Sequence, residues 1–111
     1  MATAKFIHDG NSIDYTPGSN VAAGDVVVQG DLVGVAKVPI PANTLGALAV
    51  TGVFDFPKAT GAGTAITLGA KVYWNATAQQ ATTTASGNKY LGKTVKATVD
   101  ADATVRVRLE Q

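Results

Sequence analysis

The sequence predicts an all-β protein: a small compact β-barrel or β-sandwich of short antiparallel strands, with an extended N-terminal arm and little or no helix. Three observations carry that expectation. The hydrophobic fraction is 46% but the aromatic fraction only 6%, so the apolar content is mostly Val, Ala and Leu, with β-branched side chains that suit a pleated surface. Twelve glycines and abundant Thr punctuate the chain with tight turns. The clearest apolar runs alternate with period two rather than the 3.6 of a helix.

A chain of 111 residues builds one core and not two. Residues 1–111 are therefore expected to form one domain, with an arm over 1–18 and a β core over 19–111. The arm is polar and holds two short extended candidates, 5–8 and 12–15, closed by a turn at Thr16-Pro17-Gly18. Such a segment is either an edge strand or an arm that orders against a neighbour.

The best-defined element is residues 25–38, DVVVQGDLVGVAKV. Gly30-Asp31 is a two-residue connection whose first position is Gly, as a type II′ hairpin turn requires. With that loop Val28 faces Val33 and Val26 faces Val35, while Gln29 faces Leu32 and Asp25 faces Ala36. The valines then share one side, and a one-residue slip would scatter them.

Pro39 ends the hairpin, and Ile40-Pro41-Ala42-Asn43 cannot continue a ladder, because Pro lacks the N–H donor and Asn favours turns. The next strand runs from near Leu45 to Phe56, with Val50, Gly52, Phe54 and Phe56 on one side and Thr51, Val53 and Asp55 on the other. Pro57 stops it. Residues 59–69, ATGAGTAITLG, read as a loop or extended crossing. Residues 71–75, KVYWN, form a compact strand that puts Val72 and Trp74 together. The polar, Thr-rich stretch after them is extended structure between turns, since β-branched residues stiffen against helical packing.

The alternation of Val95, Ala97 and Val99, then of Val105, Val107 and Leu109, predicts a final hairpin. A three-residue loop, Ala101-Asp102-Ala103, would pair Val99 with Val105, Ala97 with Val107 and Val95 with Leu109. On its other face this register sets Lys96 opposite Arg108 and diagonal to Arg106. Like charges so placed are unfavourable by up to about 1 kcal/mol, and an acidic neighbour or partner would relieve them.

Composition narrows the function classes. Lys+Arg 9 against Asp+Glu 8 leaves a net charge of +1, so no whole-protein field draws the chain to nucleic acid or to an anionic membrane. Cysteine is absent, which removes disulfides, thiolate catalysis and cysteine-based metal sites. The N-terminus has no continuous apolar run, so neither a secretory signal nor a membrane span is expected, and synthesis in a cytoplasm is.

Residues 87–94, GNKYLGKT, match the literal string G-x-x-x-x-G-K-[ST] of phosphate-cradling loops. That chemistry needs a buried strand before the loop, a helix beginning at the Lys and a later strand carrying an acid for magnesium. The upstream ATTTAS is too polar, the downstream period is two, and 17 residues after Thr94 are too few. A turn at Ser86-Gly87-Asn88 leading into a strand is the better reading. His8, the one histidine, has no second His to build a metal or catalytic site. Asp100 and Asp102 are better turn residues than calcium ligands, which must be more numerous. Asn75-Ala76-Thr77 matches the glycosylation triplet but has no secretory context. Tyr73 and Trp74 could stack on bases or sugars, but only Lys71 supplies adjacent charge, so packing is the stronger reading. No catalytic, cofactor-binding or metal-binding residue emerges.

Three blocks together carry a resemblance: SIDYTPGSNVAAGDVVVQGDLVGVAKVPIPANTLGALAVTGVFDFPKA, then GAKVYWNATAQQATTTASGNKYLGKTVKA, then DADATVRVRL. Their succession of strands and turns resembles the tailed-phage and prophage family of capsid cement, or head decoration, proteins, formerly a domain of unknown function. The resemblance implies a structural protein, not an enzyme. It is expected on the outer capsid surface of the virion after synthesis in the bacterial host cytoplasm, and to stabilise the icosahedral head by clamping neighbouring major capsid subunits. Its partners would be the major capsid protein and copies of itself, a trimer first and a dimer second, with no nucleic acid, membrane or cofactor. The expected capsid or subunit contacts are Phe6, Ile7 and Tyr15 of the arm, within residues 2–15, and Lys96, Arg106 and Arg108. The alternatives from other classes are a nucleotide-binding protein acting through residues 87–94, and a surface module recognising glycan or nucleic acid through Tyr73 and Trp74.

Overall fold

A computed structural model describes residues 3–111. Among them the chain forms nine strands: β1 Ser12–Tyr15, β2 Val26–Gln29, β3 Leu32–Val35, β4 Gly46–Ala49, β5 Thr51–Pro57, β6 Lys71–Asn75, β7 Gln80–Thr82, β8 Lys89–Thr94 and β9 Thr104–Glu110. Four make one antiparallel sheet in the order β1-β4-β3-β2, and five make a second in the order β5-β9-β8-β6-β7. The second sheet curls until its ends meet, where Lys58, just past β5, forms a bridge with Ala81 of β7. It is thus a nearly closed barrel, and the all-β architecture agrees with the period-two reading.

The β2–β3 hairpin has the predicted register: Val26 faces Val35, Val28 faces Val33 and Gln29 faces Leu32. Gly30 has φ 61°, the positive value that the first position of a type II′ turn needs. Ala36 N donates to Asp25 O, extending the pairing one step further. The valine face closes over the barrel interior, joining Phe56, Ile66, Val72, Trp74, Ala81, Leu91, Val105, Val107 and Leu109 in one apolar core. Val27 and Ala36 serve a second core with Ile13, Tyr15, Val21, Ile40 and Leu48. One hairpin therefore supplies both cores, one from each neighbourhood of its surface.

Two expectations fail, each for a physical reason. Residues 45–56 are not one strand. They divide at Val50 into β4 and β5, which lie in different sheets. Leu48, Ala49 and Val50 are buried in succession, which a strand with one wet face does not permit. Leu48 belongs to the second core and Phe56 to the barrel, so the chain turns a corner between them, with Val50 N donating to Asn11 O.

The predicted final hairpin is also different. The strand beside β9 is β8, with Gly92 opposite Leu109, Lys93 opposite Arg108 and Thr94 opposite Val107. Val95 N makes a last bond to Arg106 O, then residues 96–103 leave the sheet, and Val95 and Val99 are 41% and 62% exposed. They pair instead with the 59–69 crossing, where Thr98 N donates to Ile66 O and Ile66 N to the Thr98 hydroxyl. Gly92 sets the true register, because a Cβ there would run into the Arg108 carbonyl. Lys96 is accordingly not opposite Arg108.

The remaining elements follow their chemistry. β6 has the predicted bounds and buries Val72 and Trp74. The Thr-rich stretch contains the short β7, and the 59–69 crossing has no strand. Residues 5–8 form no strand either.

Candidate functional site

Three places hold the side chains to which sequence reasoning assigned a function. The first is the segment before β1. Residues 3–9 are exposed and lie outside any regular element, and Phe6 and Ile7 are 77% and 73% exposed. Ala2, where the expected contact segment begins, is outside the described residues. Tyr15 is set apart from Phe6 and Ile7: it sits in β1 opposite Gly46 and packs on the second core.

The second is the outer face of the five-stranded sheet. Asp55 on β5 lies directly opposite Arg106 on β9, and the guanidinium spans both carboxylate oxygens at 3.0 and 3.2 Å. That hydrogen-bonded pair holds the Asp55 carboxyl below its usual value and raises Arg106. Arg106 is thus matched within its own molecule. Lys96 stands in the same shallow depression, with Asp55, Thr98, Asp102, Thr104 and Arg106. Arg108 reaches only Glu110, at 3.7 Å. Beside it Tyr90 donates to Glu110 at 3.4 Å and meets Tyr73 edge-on, ring centroids 5.6 Å apart. Burial and the Glu110 carboxylate raise the Tyr90 phenol above its ordinary value. The strand expected after the turn at Ser86-Gly87-Asn88 is β8, and its outward Lys93, which the sequence did not single out as a contact, stands beside Arg108.

The third is that string itself. Residues 89–94 are β8, a central strand hydrogen-bonded to β6 and β9, so its backbone amides belong to ladders and no helix follows Lys93. Thr94 is buried, its hydroxyl donating to Thr67 O at 2.6 Å and accepting from Ala70 N. The segment has the geometry of a core strand, not of a phosphate cradle.

The other candidates resolve similarly. Trp74 is 3% exposed and packs on Phe56 with ring centroids 6.0 Å apart, so its face cannot stack on a base or a sugar. His8 Nδ1 accepts from Gly10 N. Asp102 Oδ2 accepts from Val99 N as a turn residue, whereas Asp100 Oδ1 accepts from Thr64 N and Ala65 N and so ties its loop to the 59–69 crossing. Asn75 Oδ1 accepts from Thr77 N and Ala78 N in a turn. Among the described residues no group of three or more His, Cys, Asp or Glu could hold a metal ion.

One buried group escaped sequence reasoning. Lys58 is 4% exposed, with its ammonium donating to Ala59 O, Asp102 O and the Thr64 hydroxyl at 2.8, 2.9 and 3.3 Å. All three protons are used, all on neutral acceptors, and the result ties the barrel seam to two loops. A lysine after a proline gave no sign of this.

Taken together, the chain is a small β-barrel with an appended sheet, whose conspicuous surfaces are a polar segment exposing Phe6 and Ile7 and a charged sheet face. This is the make-up of a structural packing module. Residues 7–109 match the phage cement protein family, nearly the whole chain, and the protein belongs to that family. Its role is structural and associated with the phage capsid. No curated protein and no solved structure matches the chain significantly.

Proposed function

We propose that the protein binds the outer surface of the assembled head and stabilises it by clamping neighbouring major capsid subunits. The observation that carries this reading is the pair Phe6 and Ile7, two large apolar side chains left exposed on a segment that makes no regular structure with its own body. Side chains of that size are worth about 1.5–3 kcal/mol each on full burial, and a partner surface would supply the burial that the fold does not. The 1–18 segment suits the task, since β1 anchors it to β4 while residues 3–9 can reach outward from the 19–111 core. Tyr15, at the anchored end, would hold the segment rather than touch the shell first.

The sheet face bearing Lys96, Arg106 and Arg108 is the second proposed contact. A trimer on the shell, or else a dimer across a two-fold axis, would multiply these modest contacts, and multivalency would make loss of the layer slow. Removing residues 2–9, which precede β1, tests the reading. The truncated protein is expected to keep its far-UV circular dichroism and thermal midpoint but to vanish from purified heads. Full occupancy of heads by the truncated protein would overturn it.

A further inference from the structure

The outer face of the barrel carries a row of three cations on adjacent strands. Lys71 on β6 is opposite Lys93 on β8, and Lys93 is opposite Arg108 on β9. With strands about 4.8 Å apart, the row spans about 10 Å. All three residues are exposed. Among the described residues no carboxylate lies within 4.0 Å of Lys71 or Lys93, and Arg108 has only Glu110 at 3.7 Å.

The fold gains nothing from this arrangement. Lys93, in the middle, faces a like charge on both sides, and directly opposed like charges weaken a sheet. A carboxylate at that position would instead make two cross-strand ion pairs. On the same face, Arg106 shows what a matched cation looks like here, bound by both oxygens of Asp55. The neighbours of the row also matter: Val53, opposite Arg108, is exposed, and Tyr73 and Tyr90, on the strands of Lys71 and Lys93, meet edge-on and half-buried. Arginine and tyrosine next to an apolar side chain are the composition of a protein interface.

We propose that the Lys71–Lys93–Arg108 row, with Tyr73, Tyr90 and Val53, docks on a carboxylate-bearing protein surface of the head, rather than lying free in solvent. The inference rests on the capsid-binding reading above and names the chemistry of the partner at one face. A row of three cations about 10 Å long, on a chain of net charge +1, lacks the extended positive field that recruits a phosphate backbone. The row is a place where the free protein gives up stability that the bound protein regains.

Two substitutions at the centre of the row, Lys93→Glu and Lys93→Gln, test the proposal in the full chain. Each is measured in two ways: thermal unfolding of the free protein, and binding to purified heads lacking it at several salt concentrations. Because self-repulsion is removed, the thermal midpoint is expected to rise, by about 2 °C or more for Lys93→Glu. Binding to heads is expected to weaken at least ~10-fold for Lys93→Glu and less for Lys93→Gln, and wild-type binding to weaken as salt rises. A midpoint that rises while binding is unchanged overturns the docking role of the row but leaves the capsid-binding reading standing. Wild-type protein that never binds heads overturns that reading itself. Retention of wild type, but not of Lys93→Glu, on duplex DNA at about 0.15 M salt would overturn the choice of a protein carboxylate in favour of phosphate.

Discussion

Lys58 is the residue on which most connections converge. Its backbone bridges β5 to β7 and its N–H donates to Ala103 O, while its ammonium holds three further acceptors. A buried ammonium is tolerable only when fully hydrogen-bonded, and here it is. Lys58→Met keeps the aliphatic stem but takes the ammonium donor from the Ala59 and Asp102 carbonyls, while the Thr64 hydroxyl keeps Gly61 O and Asp100 O. The expected loss is about 1–3 kcal/mol of stability, read as a lower urea midpoint. An unchanged midpoint would mean that water satisfies those acceptors and that the seam does not depend on the lysine.

At the scale of the element, β8 decides the barrel. Two devices act within six residues: Leu91, the extra residue of β8 where the register shifts between Val72 and Tyr73 of β6, faces the core, and Gly92 lets the β9 backbone approach closely. Gly92→Ala is expected to force β8 and β9 apart and to lower the thermal midpoint by several degrees, with loss of amide protection along β9 in hydrogen exchange. Wild-type protection along β9 in that variant would show that the ladder absorbs a methyl. The same element explains what was legible in the sequence. Hairpins β2–β3 and strand β6 could be read to the residue, because a two-residue Gly turn and local alternation specify their pairing. The partner of β9 could not, since Val95, Ala97 and Val99 alternate as well as any strand, and their disqualification comes from a distant event, the claim that the 59–69 crossing makes on Thr98. The candidate surfaces divide likewise. The sequence singled out Phe6 and Ile7 by their place in the arm and set Lys96 opposite Arg108, where the structure has Lys93; that neighbour and the Asp55 partner of Arg106 depend on strand order, which no local pattern encodes.

For the whole molecule, the two sheets share β2–β3 as a common wall. Val33 and Val35 pack into the barrel core, while Val27 and Ala36 pack into the other. At the end of the chain the Gln111 side chain adds a polar tie, accepting from Val33 N and donating to Tyr90 O and Leu91 O. The Lys89–Asp31 ion pair crosses the same junction at 2.8 Å, lowering the Asp31 carboxyl through its hydrogen bond. It lies at an exposed surface and contributes little beyond orientation. The cementing role therefore falls to a body whose two halves cannot separate without uncovering one hairpin on both sides.

That shared hairpin also orders events in time. Its strands meet across a two-residue turn, and such closures take about 1–10 μs. The β5–β9 ladder instead joins Thr51 to Glu110 and Pro57 to Thr104, so it waits for a long loop to close and belongs to the slower class of non-local pairings. Val33→Ala is accordingly expected to slow refolding, and Leu109→Ala to speed unfolding with little effect on the folding limb; stopped-flow Trp74 fluorescence distinguishes them, and the reverse pattern would place the nucleus in the barrel. The hairpin would then be the first part of the fold to exist, with the barrel seam at Lys58 closing last.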